Sequence, residues 1–418
     1  MSAWILAPVV ALLVLLGTPL FAIMGAITAF CYLFIAGEPL TVVIGDIYYA
    51  ADKEVLLAVP LFVLAGQIMT KGSISRRLIN LAAGLTAPIP GGLALAAVFS
   101  CSVFAAISGS SPVTLIAIGS ILFPALLKAG YDKRFSMGLL STGGTLGIII
   151  PPSIPMIIFA IMAGVSVVDL FKAGIGPGLL LMGLLGGYAV WRSPKSARSP
   201  FDRAQALAAF KGGIFSLLMP LLILGGIYSG FFTATESAAV AVVYALVVET
   251  FIHREFKLSQ LFLVARETAE TLGLLFLILI LAVSLNKFMT IEEIPQTLVE
   301  FISARVDSKL SFLLMVNLVL LVVGCFMDAM SAILVLAPLL TPMAVHFGID
   351  PVHFGIIMIV NLEIGYLTPP IGINLFVASG MFKEPLGEVI ASVLPYLLVM
   401  GVGLALICAF PGISLFAV

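Results

Sequence analysis

The chain is poor in charged residues. Aspartate, glutamate, lysine and arginine make up only 10% of its 418 residues, against about 25% in an ordinary soluble domain. The hydrophobic fraction of 61% and the mean hydropathy of +1.24 therefore indicate a polytopic membrane protein. The formal net charge of −1 gives no sign of nucleic-acid binding.

Residue types that build metal centres and enzyme sites are also scarce. The four cysteines, Cys31, Cys101, Cys325 and Cys408, are scattered through apolar segments without the spacing of a metal site or of a disulfide framework. The three histidines form no catalytic or metalloprotease pattern, and no nucleophile–base pair appears in the apolar segments. We therefore expect no transition metal, no cofactor and no enzymatic activity.

The chain does contain a repeated interruption of its apolar segments. Pro151-Pro152 and Pro369-Pro370 lie 218 positions apart, and the same shift aligns Gly147 with Gly365. A helix cannot run through Pro-Pro, because N–H donors are missing and the rings clash with the preceding turn. A bilayer tolerates broken helix only where it is packed in protein or lines a cavity. Paired interruptions in two halves therefore predict the binding site of a transporter.

Two apolar stretches, 91–128 and 310–347, are too long for one span and have a small or polar break near the middle. Each is compatible with two spans joined by a tight turn or with a re-entrant hairpin. If both are hairpins, 15 of the 20 lysines and arginines fall on one side of the membrane, as the positive-inside rule expects. Five crossings then separate the hairpins, and this odd number makes the two halves an inverted repeat.

Polar residues concentrate at the hairpin tips and before the Pro-Pro pairs. Unwound backbone exposes carbonyl oxygens, which suit Na⁺ together with hydroxyl groups, and half-helix N-termini suit a carboxylate. The predicted sodium-binding residues are Ser108, Ser110, Gly143, Gly144, Thr145, Asp328, Ser331, Gly365 and Thr368. The predicted substrate-binding residues are Ser111, Thr114, Ser153, Asn361, Glu363 and Asn374.

Four acidic residues leave alternatives open. A proton as coupling ion would need a titrating group, and by position only Asp328, Glu363, Glu236 and Glu249 qualify. Asp328 could instead cap the returning helix of its hairpin, and Glu363 could be a structural hydrogen-bond partner. We expect Glu236 to cap the next helix and Glu249 to lie at the membrane interface.

Six stretches point together to one family. They are Val59 to Gly66, Ser108 to Thr114, Gly147 to Pro155, Gly225 to Gly230, Phe232 to Ala238, and Asn361 to Asn374. In them the chain resembles the large membrane subunits of tripartite ATP-independent periplasmic (TRAP) transporters, the C4-dicarboxylate type in particular, over nearly its whole length. One departure is Ala234, where the family usually has proline.

The resemblance implies an elevator-type ion transporter of the bacterial inner membrane. The hairpins and broken spans would form a moving transport domain, with one sodium site at each hairpin, and Na⁺ would drive uptake of a small carboxylate. A periplasmic binding protein would deliver the substrate, and a separate small four-span subunit would brace the scaffold. The alternative is a stand-alone Na⁺- or H⁺-coupled anion transporter or antiporter.

We therefore predict an all-α polytopic membrane protein of inverted repeats, each with a re-entrant hairpin and a broken span. The broken spans are placed at 134–164 and 353–381, and residues 4–36 form one span or two pieces broken at Gly17-Thr18-Pro19. The predicted regions are scaffold spans at 1–70, an amphipathic arm at 71–90, a transport half at 91–173, scaffold spans at 174–290, a second arm at 291–309, a second transport half at 310–388 and a C-terminal span at 389–418.

Overall fold

The computed structural model describes residues 8–10, 12–13, 15–194, 203–306 and 308–418, and every regular element in these ranges is a helix. The first nine helices are α1 (Leu20–Phe30), α2 (Leu40–Ala51), α3 (Ala58–Lys71), α4 (Ile74–Thr86), α5 (Gly92–Ser108), α6 (Ser111–Lys128), α7 (Lys133–Gly143), α8 (Ile154–Ala163) and α9 (Val167–Arg192). The others are α10 (Arg203–Tyr228), α11 (Ala234–Val247), α12 (Leu261–Ile291), α13 (Ile294–Ser303), α14 (Lys309–Phe326), α15 (Ala329–His346), α16 (Pro351–Gly365), α17 (Ile373–Phe382), α18 (Leu386–Ala409) and α19 (Gly412–Leu415).

The first apolar stretch, predicted at 4–36, is interrupted between Gly17 and Pro19. The backbone turns at Gly17, where φ is 67°, and α1 begins only after Pro19. The predicted start of this stretch at residue 4 lies outside the described residues. Among those described, nine helical stretches are long and apolar enough to cross a membrane. They include α6, α14 and α15, so length alone does not distinguish a hairpin from two crossings.

Two hairpins and two broken spans occupy the predicted places. Helices α5 and α6 meet at Gly109, whose φ of 62° is easy only for glycine, while α14 and α15 meet at Met327 and Asp328. The bounds of α15 are those of α6 shifted by 218 positions. The first broken span runs from α7 through a 3₁₀ turn at Gly144–Ile148 and Pro151-Pro152 into α8, and the second runs from α16 into α17.

The repeat begins earlier in the chain than the sequence predicts. A π-helical turn at Cys31–Ala36 follows α1, and a similar turn at Val248–Ile252 follows α11, about 218 positions later. The same register places α2 and α3 opposite the single long helix α12. In the first half, Asp52 and Lys53 interrupt the helix and separate α2 from α3, whereas in the second half α12 is continuous.

The two halves interlock through their broken spans. The first part of each broken span packs against the hairpin of its own half. In the first half the 3₁₀ turn contacts α5 and α6, and in the second half α16 contacts α14. The second part packs against the hairpin of the other half, with α8 on α15 and α17 on α6. We call α5–α8 and α14–α17 together the hairpin assembly.

Helices α1–α3 and α10–α12 form the scaffold. Helix α12 packs against α1, α2 and α3, and α11 packs against α3. The two predicted arms contain α4, which lies between α10 and α5, and α13, which lies between α12 and α15. Each arm helix therefore connects scaffold to hairpin assembly.

Helices α9 and α18 occupy equivalent positions in the repeat and pack against each other. Their other main contacts are with the hairpin assembly, α9 on α5 and α16 and α18 on α7. The expected scaffold region at 174–290 includes most of α9, whereas this helix packs with the hairpin assembly. The division into moving and static regions itself stays a prediction.

Candidate functional site

Both hairpin tips open on one cavity of about 400 Å³. The hairpin assembly contributes Ser108, Gly109, Ser110, Val113, Ile154, Asp328, Met330 and Ser331 to its lining. The scaffold contributes Leu20, Val63, Gly66, Gln67, Thr271, Leu272, Leu275 and Ile278. The cavity thus lies between hairpin assembly and scaffold, and its oxygen-bearing side chains are mainly at the tips.

The first tip is held by hydroxyl groups bonded to its own backbone. The Ser108 Oγ and Thr114 Oγ1 atoms lie 2.9 Å apart, and Thr114 Oγ1 also donates to the carbonyl oxygen of Ser110 at 2.9 Å. Thr114 is fully buried, while Ser110 is partly exposed to the cavity. The tip therefore presents a compact set of hydroxyl and carbonyl oxygens.

The second tip is fastened to its broken span. The Asp328 Oδ2 atom accepts a hydrogen bond from the Ser331 amide at 3.0 Å, which caps α15. The Ala329 amide donates to the Tyr366 hydroxyl at 2.8 Å, and the Gly372 amide donates to the Cys325 carbonyl at 3.0 Å. Asp328 therefore caps the returning helix of its hairpin, the alternative left open by the sequence, and it also lines the cavity.

Glu363 lies at the centre of the hairpin assembly. Its side chain is fully buried, and neither carboxyl oxygen has a hydrogen-bond partner among the described residues. The Thr145 hydroxyl faces it but donates its own proton to the Thr142 carbonyl at 2.8 Å. Thr145 and Glu363 are 218 positions apart, so equivalent residues of the two halves face each other here. Burying a carboxyl group without a partner is costly, so Glu363 stays a candidate functional residue.

Two asparagines join the broken spans to the hairpins. Asn374 is buried and donates to the Ser111 hydroxyl of the other half. Asn361 donates to Asn317 Oδ1 at 2.7 Å and to the Asn317 carbonyl at 3.0 Å. The Asn317 partner was not among the predicted site residues, although an asparagine in the apolar helix α14 is the kind of residue that marks an interhelical bond.

The predicted sodium-binding residues fall into two groups. Ser108, Ser110, Asp328 and Ser331 line the cavity. The others lie behind the tips: Gly143 packs near Cys101, Gly144 near Leu115, and Gly365 against Gly324, while Thr145 is buried and Thr368 donates to the Ile364 carbonyl at 2.8 Å. Their assignment to sodium stays a prediction.

None of the predicted substrate-binding residues lines the cavity in this structure. All six are at most 1% exposed: Ser111, Thr114, Ser153, Asn361, Glu363 and Asn374. Ser153 donates to the Ile148 carbonyl and so closes the first break. Their role in substrate binding also stays a prediction, and it requires the hairpin assembly to open.

Sequence reasoning missed the polar residues that the scaffold contributes. Gln67 and Thr271 line the cavity opposite the tips. Asp46, which is 6% exposed, pairs with Lys287 at 2.6 Å and accepts from the Tyr32 hydroxyl at 2.8 Å, joining α2 to α12. Glu236 forms a capping box with Thr233 as predicted. Among the described residues, no cluster of three or more His, Cys, Asp or Glu side chains could hold a metal ion.

The family is settled by comparison with known sequences. The sequence model of the family described as "Tripartite ATP-independent periplasmic transporter, DctM component" matches residues 8–413. The chain belongs to this family. The C4-dicarboxylate TRAP transporter large permease protein DctM of Pseudomonas aeruginosa is 43% identical over 372 residues, 88% of this chain and 87% of that protein. These findings confirm the resemblance seen in the sequence.

A second relative in the family is longer than this chain. The isethionate TRAP transporter permease protein DctMQ of Oleidesulfovibrio alaskensis is 39% identical over 411 residues, which are 97% of this chain but 65% of that protein. Both relatives are permeases and not enzymes. Membership of the family, together with nine apolar helical stretches in the described residues, makes the chain a multi-pass protein of the inner membrane.

The fold is shared with a solved membrane transporter. The crystal structure of the Alcanivorax borkumensis YdaH transporter matches with a TM-score of 0.64 over 89% of this chain and 88% of that chain, at 16% identity. At this identity the likeness concerns the fold alone. It confirms the predicted fold class.

Proposed function

We propose that this permease carries out Na⁺-coupled secondary uptake of a small carboxylate by an elevator-type movement. A periplasmic binding protein delivers the substrate, and a small four-span membrane subunit braces the scaffold. The observation that carries the proposal is the single cavity that both hairpin tips share with the scaffold. Movement of the hairpin assembly along the scaffold would transfer the contents of this cavity from one side of the membrane to the other.

The chemistry of the cavity suits a small hard cation and an anion together. Asp328 is the one ionisable residue among the described residues of the lining, and Ser108, Ser110 and Ser331 supply hydroxyl groups. Na⁺ prefers such oxygen ligands, and among the residues that the structure describes no lysine or arginine lines the cavity to bind a carboxylate directly. A bound cation would therefore attract the substrate. The volume of about 400 Å³ is in the usual range for small-molecule sites.

The relatives support a small anionic substrate without specifying it. One is named for C4-dicarboxylates and another for isethionate. In three-part systems the binding protein also selects the substrate, so the permease cavity need only accept small anions as a class. A carboxylate fits the amides and hydroxyls at the half-helix N-termini.

Reconstituted transport tests the proposal. Full-length permease in liposomes with its binding protein and small subunit should take up substrate only when a sodium gradient is present. Uptake that is unchanged when K⁺ replaces Na⁺ would disprove the coupling. Uptake by this chain without the binding protein would favour a stand-alone transporter.

Variants at the second tip separate the charge of Asp328 from its capping role. In Asp328→Asn the side-chain oxygen still accepts from the Ser331 amide, but the negative charge is gone. We expect the sodium concentration for half-maximal uptake to rise about tenfold or more, because bonds to a charged group contribute about 1.5–3 kcal/mol. Ser110→Ala at the first tip should also weaken sodium dependence.

Asp350 provides the matched control. It caps α16 through bonds to the Val352 and His353 amides at 2.8 and 3.0 Å, and it does not line the cavity. Asp350→Ala should lower thermal stability but leave sodium activation unchanged. Normal sodium activation in Asp328→Asn would refute the assignment of Asp328.

A further inference from the structure

Glu249 is a buried carboxylate at the amino end of the first arm helix. Its Oε1 and Oε2 atoms each lie 3.0 Å from the Ser73 amide, and Oε1 accepts from the Ile74 amide at 3.0 Å. The Ser73 hydroxyl lies 3.3 Å from Oε2. These amides belong to the first turn of α4, where backbone N–H groups have no partner within the helix. Glu249, which is 176 positions from Ser73 and 175 from Ile74, thus satisfies them.

The pocket for this carboxylate is shaped to fit it. Glu249 is fully buried, and a Cβ atom added at Gly72 would lie 2.2 Å from its carboxyl carbon. Gly72 is therefore required for the close approach. His253 and Arg77 complete the site through the Ser73 hydroxyl, at 3.2 Å from His253 Nδ1 and 2.9 Å from Arg77 Nε. These hydrogen bonds help to offset the cost of burying the carboxyl group.

Glu249 also stands in a distinctive backbone context. It lies in the π-helical turn Val248–Ile252 that ends the scaffold helix α11, and such turns occur frequently at functional sites. The scaffold side of the contact is therefore α11, and the arm side is α4. The contact joins two elements that an elevator movement would rotate relative to each other.

The described residues contain no equivalent of the Glu249 contact at the second arm. In the 218-residue register Glu249 corresponds to Cys31, which lies in the equivalent π-helical turn. Cys31 belongs to an apolar cluster with Tyr32, Val43 and Phe288, and Ile294, the first residue of α13, packs against it. No side chain in the described part of the chain caps α13. One arm is thus held by directional, charge-assisted bonds and the other by apolar packing.

The two ends of the first arm also differ. Beyond its carboxyl end the chain runs through Pro88, Pro90 and Gly91, and Gly91 has φ of 73°. We infer that Glu249 is a positioning residue for transport, which fixes the amino end of α4 to the scaffold as the pivot of the first arm. The inference rests on the proposed elevator movement. Rotation about a fixed pivot would then carry the hairpin assembly along a defined path.

Glu249→Gln in the full permease, with its two partners in liposomes, tests the pivot. The glutamine retains one acceptor oxygen but places an NH₂ group against amide donors. We expect the maximal uptake rate to fall about tenfold, while the half-saturating substrate and sodium concentrations change less than about twofold, because only a conformational step is affected. Glu249→Asp keeps the charge and should recover part of the rate.

Glu255→Gln is the matched control. Glu255 also bonds to the first arm, through Arg76 at 2.8 Å and Arg77 at 3.3 Å, but these ion pairs are exposed. Exposed pairs contribute little, so the maximal rate should stay within about twofold of wild type. A maximal rate of Glu249→Gln equal to that of Glu255→Gln would overturn the inference. A fall in rate that came with a large rise in half-saturating substrate concentration would also overturn it.

Hydrogen exchange tests the pivot independently of the proposed sodium coupling. Amides 73–78 should exchange faster in Glu249→Gln than in wild type or Glu255→Gln, and equal exchange in all three proteins would overturn the inference. Wild-type uptake that does not depend on the sodium gradient would refute only the proposed sodium coupling. The rates of the variants would still be compared under whatever gradient drives transport. If Glu249→Gln does not fold, Glu249→Asp supplies both measurements.

Discussion

Gly147 is the position where one added methyl group should disturb the site most. It lies in the 3₁₀ turn before the first Pro-Pro pair, packed against Ala105 of α5. A Cβ added at Gly147 would lie 1.8 Å from the Ala105 Cβ and 2.4 Å from its carbonyl carbon. Ordinary contact begins at 3.4 Å, so the turn would have to move away from the hairpin by about 1.6 Å.

The cost of this movement can be bounded. Overpacking a tight interior costs about 1–3 kcal/mol, whereas replacing a helical glycine by alanine at an open position gains about 0.5–1 kcal/mol. We therefore expect Gly147→Ala to destabilise the protein. Gly401 in α18 is the control, because a Cβ added there has no atom within 4 Å. Gly401→Ala should be neutral or stabilising.

Thermal unfolding of the purified full chain in detergent measures the difference. The melting temperature of Gly147→Ala should be clearly below that of wild type, and Gly401→Ala should match or exceed it. Because Gly147 adjoins the predicted sodium residues at 143–145, Gly147→Ala should also require more sodium for half-maximal uptake. A melting temperature of Gly147→Ala at or above wild type would refute the packing argument.

Four further substitutions test the hairpin assembly and the arm. Tyr366→Phe leaves the Ala329 amide without its acceptor and should cost about 1 kcal/mol of unfolding free energy, seen as a lower melting temperature; no change would contradict the bond. Asn361→Leu should cost about 0.6–1.7 kcal/mol, and combining it with Asn317→Leu should cost less than the sum. Burial lowers the pKa of His253 below its usual 6.5, so the folded protein binds a proton on this ring less readily than the unfolded chain does. The stability due to this ring is present above pH 6.5 and is lost as the pH falls below that value. His253→Gln should reduce the acid-induced drop in melting temperature, and an equal drop would contradict this.

The broken spans and hairpins could be predicted because proline and glycine act locally. Pro151-Pro152 and Pro369-Pro370 interrupt any helix, whatever surrounds them, and the charge distribution decided between hairpins and crossings. The earlier start of the repeat could not be predicted. Helices α2 and α3 are separate while α12 is continuous, and side chains such as Gln67 and Leu285 at equivalent positions share no chemical character.

The convergence of the two tips was predictable, but the lining of the cavity was not. The positions of Ser110 and Asp328 at the hairpin tips follow from the turns that contain them. Gln67 and Thr271 line the cavity because of where along the scaffold helices the hairpin tips lie. No local sequence pattern encodes this placement. The ion pair of Asp46 and Lys287 joins residues 241 positions apart, so it arises from packing alone.

The interlocking of the two halves limits which parts can move. Helix α8 of the first half packs on α15, and α17 of the second half packs on α6. Neither hairpin can therefore shift far without displacing the break that supports the other, because close-packed interiors transmit displacement. In the proposed movement, the hairpin assembly is therefore expected to move as one body. The surface that would slip is its contact with the scaffold, and the cavity lined by Asp328, Ser110 and Gln67 lies on that surface.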